Sequence, residues 1–315
     1  MDTMLSRREG RPRKSVTIRY FNIAWLSHYD GPGHRVVLYL QGCNLRCPWC
    51  HSPHSQAAEA PLLFFPIRCR LCGRCERVCP QSVHSISADG HDLRREDCRR
   101  CGKCVDVCPL SNRDQMSGPL RLPTREVTVA ALWDLLYPQL DLLRNIGGIT
   151  VSGGEPLLQS HALQKLLGLC RKAGIHSVVE TSGALPIERL ADVVGLVDCW
   201  LFGLRPTPFY VPPRAGLIED SLAFLTDTGN RVIVRTPIIA DITDLPQSLE
   251  GIAVTMHTHR LTEIELLPFH DGTSHYYDAS GMSCPVGSEA IPSGERMCAA
   301  KEYFEQSGFV VTIIR

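Results

Sequence analysis

The sequence predicts an α/β fold interrupted by a small cysteine-rich insert. Three observations lead there. Apolar, β-branched runs alternate with helix-length amphipathic segments, polar motifs follow several of those runs, and a stretch of closely spaced cysteines breaks the alternation.

Strands are expected at Val36–Leu40, Ile149–Ser152, Ser177–Glu180, Cys199–Phe202, Arg231–Arg235, Glu263–Leu267 and Phe309–Ile313. Helices are expected at Val127–Leu136, Leu157–Ala173, Ser221–Thr228 and Gly294–Gln306. The second helix is the clearest, with Leu158, Ala162, Leu166, Leu169 and Ala173 on one face at the helical period. Pro138 is expected to end or kink the helix before it. Strands alternating with helices imply right-handed crossovers and a mainly parallel sheet. The expected organisation is a basic tail over residues 1–15, a core over 16–57 and 120–315, and an insert over 58–119 folded around metal clusters.

In parallel α/β folds, functional groups gather at the carboxyl ends of strands. Here the polar motifs fall there. Cys43, Cys47 and Cys50 follow the first strand, Ser152-Gly-Gly-Glu-Pro156 the second and Glu180-Thr-Ser-Gly183 the third. Arg235 ends its strand, and His270 follows Glu263–Leu267.

Thiolates ligate iron–sulfur clusters, and a cubane has four iron corners. Cys43, Cys47 and Cys50 fill three, leaving one iron without a local cysteine. An open position separates a reactive metal site from a structural one, by the logic that holds for zinc. Two further runs, Cys69-Cys72-Cys75-Cys79-Pro80 and Cys98-Cys101-Cys104-Cys108-Pro109, each read C-x2-C-x2-C-x3-C-P. In that pattern the fourth cysteine ligates the other cluster. Cys69, Cys72, Cys75 and Cys108 are therefore expected to hold one [4Fe–4S] cluster, and Cys98, Cys101, Cys104 and Cys79 a second. Zinc is the structural rival, but it has no use for the x3-C-P ending. Cys170, Cys199, Cys284 and Cys298 have no cluster spacing.

The 315 residues carry a formal net charge of zero. That gives no global electrostatic case for nucleic acid or anionic membrane. No apolar run approaches a membrane span and no signal-peptide core stands at the N-terminus. Many cysteines in such a chain point to a reducing cytoplasm, and oxygen-sensitive clusters to an anaerobic setting.

Taken together, these residues resemble the radical SAM superfamily, and within it the activating enzymes of glycyl radical enzymes that carry two ferredoxin-type [4Fe–4S] clusters. The marks are Asp30-Gly-Pro-Gly33 with Arg35, the Cys43-x3-Cys47-x2-Cys50 run with Trp49, and the double ferredoxin insert. They continue with Thr150–Gln159, Glu180–Gly183, Arg235-Thr-Pro-Ile238 and Leu266–His270. The resemblance implies a partial (β/α)6 barrel with an inserted two-cluster ferredoxin domain. It implies three [4Fe–4S] clusters, with S-adenosylmethionine on the open iron and a 5′-deoxyadenosyl radical that takes hydrogen from a glycine of a partner enzyme. Flavodoxin or ferredoxin is the expected electron donor, and a monomer the expected state. Gly153 and Gly154 would present main chain to the methionyl group, and Glu155 would accept from its ammonium. Trp49 and His51 would border the adenine. Glu180, Thr181, Arg205, Arg235 and His270 would complete the contacts.

One departure stands out. Where activating enzymes of this family carry Asp-x-Lys, this chain has Gly203-Leu-Arg205. Arginine keeps the charge with a different shape. The change, with the proline-rich Pro206–Pro213 stretch, admits a second expectation: a radical SAM enzyme acting directly on a small metabolite or peptide.

Overall fold

The computed structural model describes residues 15–113, 117–206 and 214–314. The expected basic tail and most of Pro206–Pro213 lie outside them. The main sheet has nine strands among the described residues. They are β1 Thr17–Ser27, β2 His34–Leu40, β3 Arg125–Thr128, β4 Gly147–Gly153, β5 His176–Thr181, β6 Cys199–Gly203, β7 Val232–Ile238, β8 Glu263–Pro268 and β9 Val310–Ile313. Their order is β9-β8-β7-β6-β5-β4-β2-β1-β3. Every pairing from β2 through β4 to β9 is parallel. Only β1 runs against its neighbours β2 and β3.

Five longer helices accompany the sheet: α1 Val129–Leu143, α2 Ser160–Lys172, α3 Arg214–Asp227, α4 Pro246–Thr258 and α5 Gly294–Gln306. All five contribute to one core with Val36, Leu38 and Leu40 of β2 and Ile149 and Val151 of β4. Residues of the opposite parity do not join it. Val178, Cys199, Leu201 and Ile233 form a separate buried cluster without a helix residue. Side chains alternate across a strand, so the two clusters lie on opposite faces of the sheet. The helices thus cover one face, while the other is buried as well.

Local chemistry sets the helix starts. The Thr128 hydroxyl accepts from the Ala131 amide at the head of α1, and Ser293 accepts from Arg296 at the head of α5. Two expectations need correction. Pro138 sits inside α1, which runs on to Leu143. An interior proline costs about 3 kcal/mol. Burial of Leu136, Leu140 and Leu143 returns roughly 1.5–3 kcal/mol each, which outweighs it. The buried face of α2 is Ala162, Leu163, Leu166, Leu167 and Cys170, whereas Leu158 precedes the α-helix in a 3₁₀ turn and is exposed.

The insert is closed at its neck by Leu63–Phe64 pairing antiparallel with Leu120–Arg121. Inside are a hairpin, His84–Ile86 with His91–Leu93, and two short helices, Arg74–Val78 and Lys103–Val107. Its small core mixes Leu62, Phe64, Val105 and Leu120 with Cys75, Cys104 and Cys108. So few apolar side chains make a thin core, and the cysteines occupy its centre.

Candidate functional site

The carboxyl ends of β2, β4, β5, β6 and β7 surround a cleft of about 550 Å³. Cys43, Cys47 and Cys50 line it together with Trp49, His51, Gly153, Gly154, Glu155, Glu180, Thr181, Gly203, Arg205 and Arg235. The polar motifs that sequence order scatters over two hundred residues therefore meet at one rim. His270 is the exception: it stands behind His51, ring centroids 4.5 Å apart, and does not line the cleft itself.

The cysteine loop is anchored by main chain at both ends. The Gly42 amide donates to Ser55 O at 2.8 Å, and the Gln41 side chain donates to His54 O and Ala57 O. The glycine-rich loop after β4 is bonded directly to its base. The Gly154 amide donates to Leu40 O at 2.9 Å and the Glu155 amide to Gly42 O at 2.8 Å. This approach needs glycine. A Cβ on Gly154 would overlap the Gly42 carbonyl and stand 3.3 Å from Cys43 Cβ. Gly153 has φ +119°, which L-residues avoid.

Glu155 is fully buried, and its carboxylate is committed to its own chain. Oε1 accepts from Thr181 Oγ1 at 2.8 Å and the Leu157 amide at 3.2 Å. Oε2 accepts from the Ser182 amide at 2.9 Å and Ser182 Oγ at 2.8 Å. A carboxylate has about four lone-pair positions, so all are filled. The sequence reading gave this carboxylate to a ligand's ammonium; the structure gives it to the Glu180–Gly183 loop. Burial raises its pKa, against the lowering effect of those four donors.

Arg235 is likewise engaged. Its guanidinium lies 2.7 Å from Glu265, 3.4 Å from Glu180 and 3.6 Å from Asp30, and also donates to Tyr29 O. Burial would lower its pKa, but the three carboxylates outweigh that and hold it above its usual value. Ser152 Oγ donates to the second Glu180 oxygen at 2.6 Å. Beneath, the Asp30–Gly33 turn is tied down by fully buried Arg35, which bonds Pro32 O, Thr150 Oγ1, Ile149 O and His176 O. The motif that composition alone reads as a tight turn is thus a fixed part of the rim.

Arg205 folds back over Gly203. Its Nη1 donates to Gly203 O at 2.6 Å, and a Cβ at 203 would come within 2.7 Å of that nitrogen. The missing carboxylate at 203 and the arginine at 205 are therefore one packing solution.

The cleft extends beyond the expected residues, past Phe21, Tyr39, His54, Arg121, Arg125 and Tyr276. Tyr39 was legible in principle, since it has the opposite parity to the core residues Val36, Leu38 and Leu40. His54 had no signal in the sequence: the return of the loop places it, stacked on Tyr276 with centroids 4.8 Å apart.

The insert presents two smaller cavities. Cys69, Cys72, Cys75 and Cys108 line one, and Cys79, Cys98, Cys101 and Cys104 the other. These are the crossed quartets that the duplicated spacing anticipates. A thiol-lined cavity of this kind fits a cluster.

Three thiols on a glycine-rich rim make a donor set that suits an iron–sulfur centre. Comparison with known proteins agrees. A 4Fe-4S single cluster domain model matches residues 29–199. The choline trimethylamine-lyase activating enzyme of Oleidesulfovibrio alaskensis is 29% identical over 305 residues, 94% of this chain and 97% of that protein. The benzylsuccinate synthase activating enzyme of Thauera aromatica is 30% identical over 300 residues, 90% and 88% of the two chains. The 4-hydroxyphenylacetate decarboxylase activating enzyme of Clostridioides difficile is 28% identical over 272 residues, 82% and 84%. The chain belongs to the radical SAM family of glycyl-radical-enzyme activating enzymes. No helix among the described residues is long and apolar enough to cross a membrane.

Proposed function

We propose that this enzyme binds S-adenosylmethionine at a [4Fe–4S] cluster held by Cys43, Cys47 and Cys50 and generates the glycyl radical of a partner enzyme. The observation that carries the reading is the meeting of those three thiols with Gly153, Gly154 and Arg205 in one cleft. The cluster, when bound, supplies the electron that splits the sulfonium to methionine and a 5′-deoxyadenosyl radical.

The chain's own residues bind and orient. The main chain at Gly153 and Gly154 faces the methionyl group without side-chain interference. Arg205, which lines the cleft beside Gly203, is the positive partner for its carboxylate, in place of the family's lysine. Glu155 fixes the Glu180–Gly183 loop from below and leaves ligand contact to the loop itself. Arg235, with Asp30, Glu180 and Glu265, forms a charged wall toward the ribose. Trp49 and His51 border the adenine, and His270 supports His51. The buried walls exclude water that would quench a radical.

The sheet is read as a partial (β/α)6 barrel. Helices cover one face only, yet the opposite face is also buried, as an inward curl would require. The insert is read as a ferredoxin-like domain with two auxiliary clusters that pass electrons from flavodoxin or ferredoxin to the cleft. A cytoplasmic monomer that meets its partner transiently is consistent with this role.

The test is anaerobic incubation of reduced enzyme with S-adenosylmethionine and the cognate glycyl radical enzyme. A doublet EPR signal that collapses when the partner carries α-deuterated glycine is expected. Cleavage of S-adenosylmethionine with no partner radical would leave only a direct action on a small substrate.

A further inference from the structure

His84 and His91 sit on the two strands of the insert hairpin, diagonal to one another (His84 opposite Leu93, His91 opposite Ile86), and they line different cavities. His91 lines the cavity of Cys69, Cys72, Cys75 and Cys108. His84 lines that of Cys79, Cys98, Cys101 and Cys104. The rings meet between them, His84 Nδ1 to His91 Nε2 at 2.9 Å. At one end His91 Nδ1 is 3.4 Å from Cys69 Sγ. At the other, His84 Nε2 is buried and has no hydrogen-bond partner among the described residues. His84 itself is 3% exposed, and a buried ring nitrogen without a partner calls for one.

We infer that His84 and His91 form a hydrogen-bonded bridge between the two auxiliary clusters, delivering one N–H to the sulfur of one cluster or the other. The inference rests on the assignment of the two cysteine quartets to clusters. The 2.9 Å contact between ring nitrogens requires one of them to be a bare acceptor, which a neutral imidazole supplies. Two neutral imidazoles share two N–H groups among four nitrogens. One N–H makes the bond between the rings. If His84 Nδ1 donates it, the other N–H sits on His91 Nδ1 and meets Cys69. If His91 Nε2 donates it, the other sits on His84 Nε2 and meets the second cavity. A donor to cluster sulfur stabilises the reduced, more negative state and raises the potential. The bridge therefore favours reduction of one cluster at the expense of its neighbour. The arrangement suits a relay in which one electron moves between the two.

The test is an EPR-monitored redox titration of the reconstituted full-length protein. His91→Phe frees His84 to donate permanently to the second cluster. The first cluster should then titrate lower and the second higher. His84→Phe should produce the reverse pair of shifts. A tenfold change in the reduced-to-oxidised ratio at fixed potential, about 59 mV for one electron, is the scale expected. His91→Gln retains an N–H donor and should restore part of the first cluster's potential. Shifts of the same sign in both clusters, or none, would overturn the bridge. Cys75, His84 and His91 also stand close enough to share one metal ion. Loss of bound metal from either Phe variant would make the histidines ligands and overturn the bridge too. Wild-type protein without two extra reducible clusters would instead overturn the quartet assignment.

Discussion

Ser182 donates twice to one oxygen of Glu155, from its amide at 2.9 Å and its hydroxyl at 2.8 Å. With Thr181 and Leu157 on the other oxygen, Glu155 is a keystone between the glycine-rich loop and the loop after β5. Glu155→Gln places an amide NH2 against donors in either orientation, and one of them is always a backbone N–H that cannot turn. A loss of about 2–3 kcal/mol is expected, read as a lower midpoint in anaerobic urea unfolding. An unchanged midpoint would return Glu155 to the ligand.

Gly154 packs directly against the cysteine loop at Gly42 and Cys43. Gly154→Ala drives a methyl group into the Gly42 carbonyl beside Cys43. The cysteine loop must then shift while the distant insert is untouched. Iron analysis after reconstitution should fall from about twelve to about eight atoms per chain, the loss of one [4Fe–4S] cluster.

Much of this was legible beforehand because the signals were local. The parallel strands announced themselves as short β-branched runs, and α5 as a helix-length amphipathic stretch. What escaped depended on tertiary context. β1 reads as polar-interrupted sequence, and its place is set by pairing with both β2 and β3. Val127 and Thr128, expected at the start of a helix, belong instead to β3, which is held as a strand by Thr17–Tyr20. α4 was not anticipated, although Leu249, Ile252, Ala253 and Met256 bury on one face. At the site, motif order located the residues around the cleft. It did not say that Glu155 and Arg235 would spend their charges on neighbours, because hydrogen-bond partners across strands leave no mark on spacing.

Arg205, two residues past the end of β6, is one of the arginines that line the cleft. Arg205→Ala removes a charged donor and should weaken S-adenosylmethionine binding by about 2 kcal/mol, roughly thirtyfold in Kd. Anaerobic equilibrium dialysis reads this directly. Arg205→Lys should recover part of the loss, since it keeps charge without the planar fork.

His54 gives a pH dependence of known sign. Burial, then the positive fields of Arg121 and His275, push it from 6.5 down to about 4. Between those values the unfolded chain takes up a proton that the folded chain refuses. Its contribution is therefore whole above pH 6.5 and is lost as pH falls toward 4. From pH 7 to pH 5 the wild type should lose about 2 kcal/mol from this group. His54→Phe, which keeps the ring against Tyr276, should be less sensitive by that amount in chemical unfolding.

The open iron is the claim on which the rest depends. ENDOR of the reduced protein with S-adenosylmethionine labelled at its amino nitrogen and carboxylate oxygen tests it most directly. Hyperfine coupling from both labels to one iron of the Cys43–Cys47–Cys50 cluster is the expected result. Spectra without that coupling, while the labelled compound is bound, would contradict it.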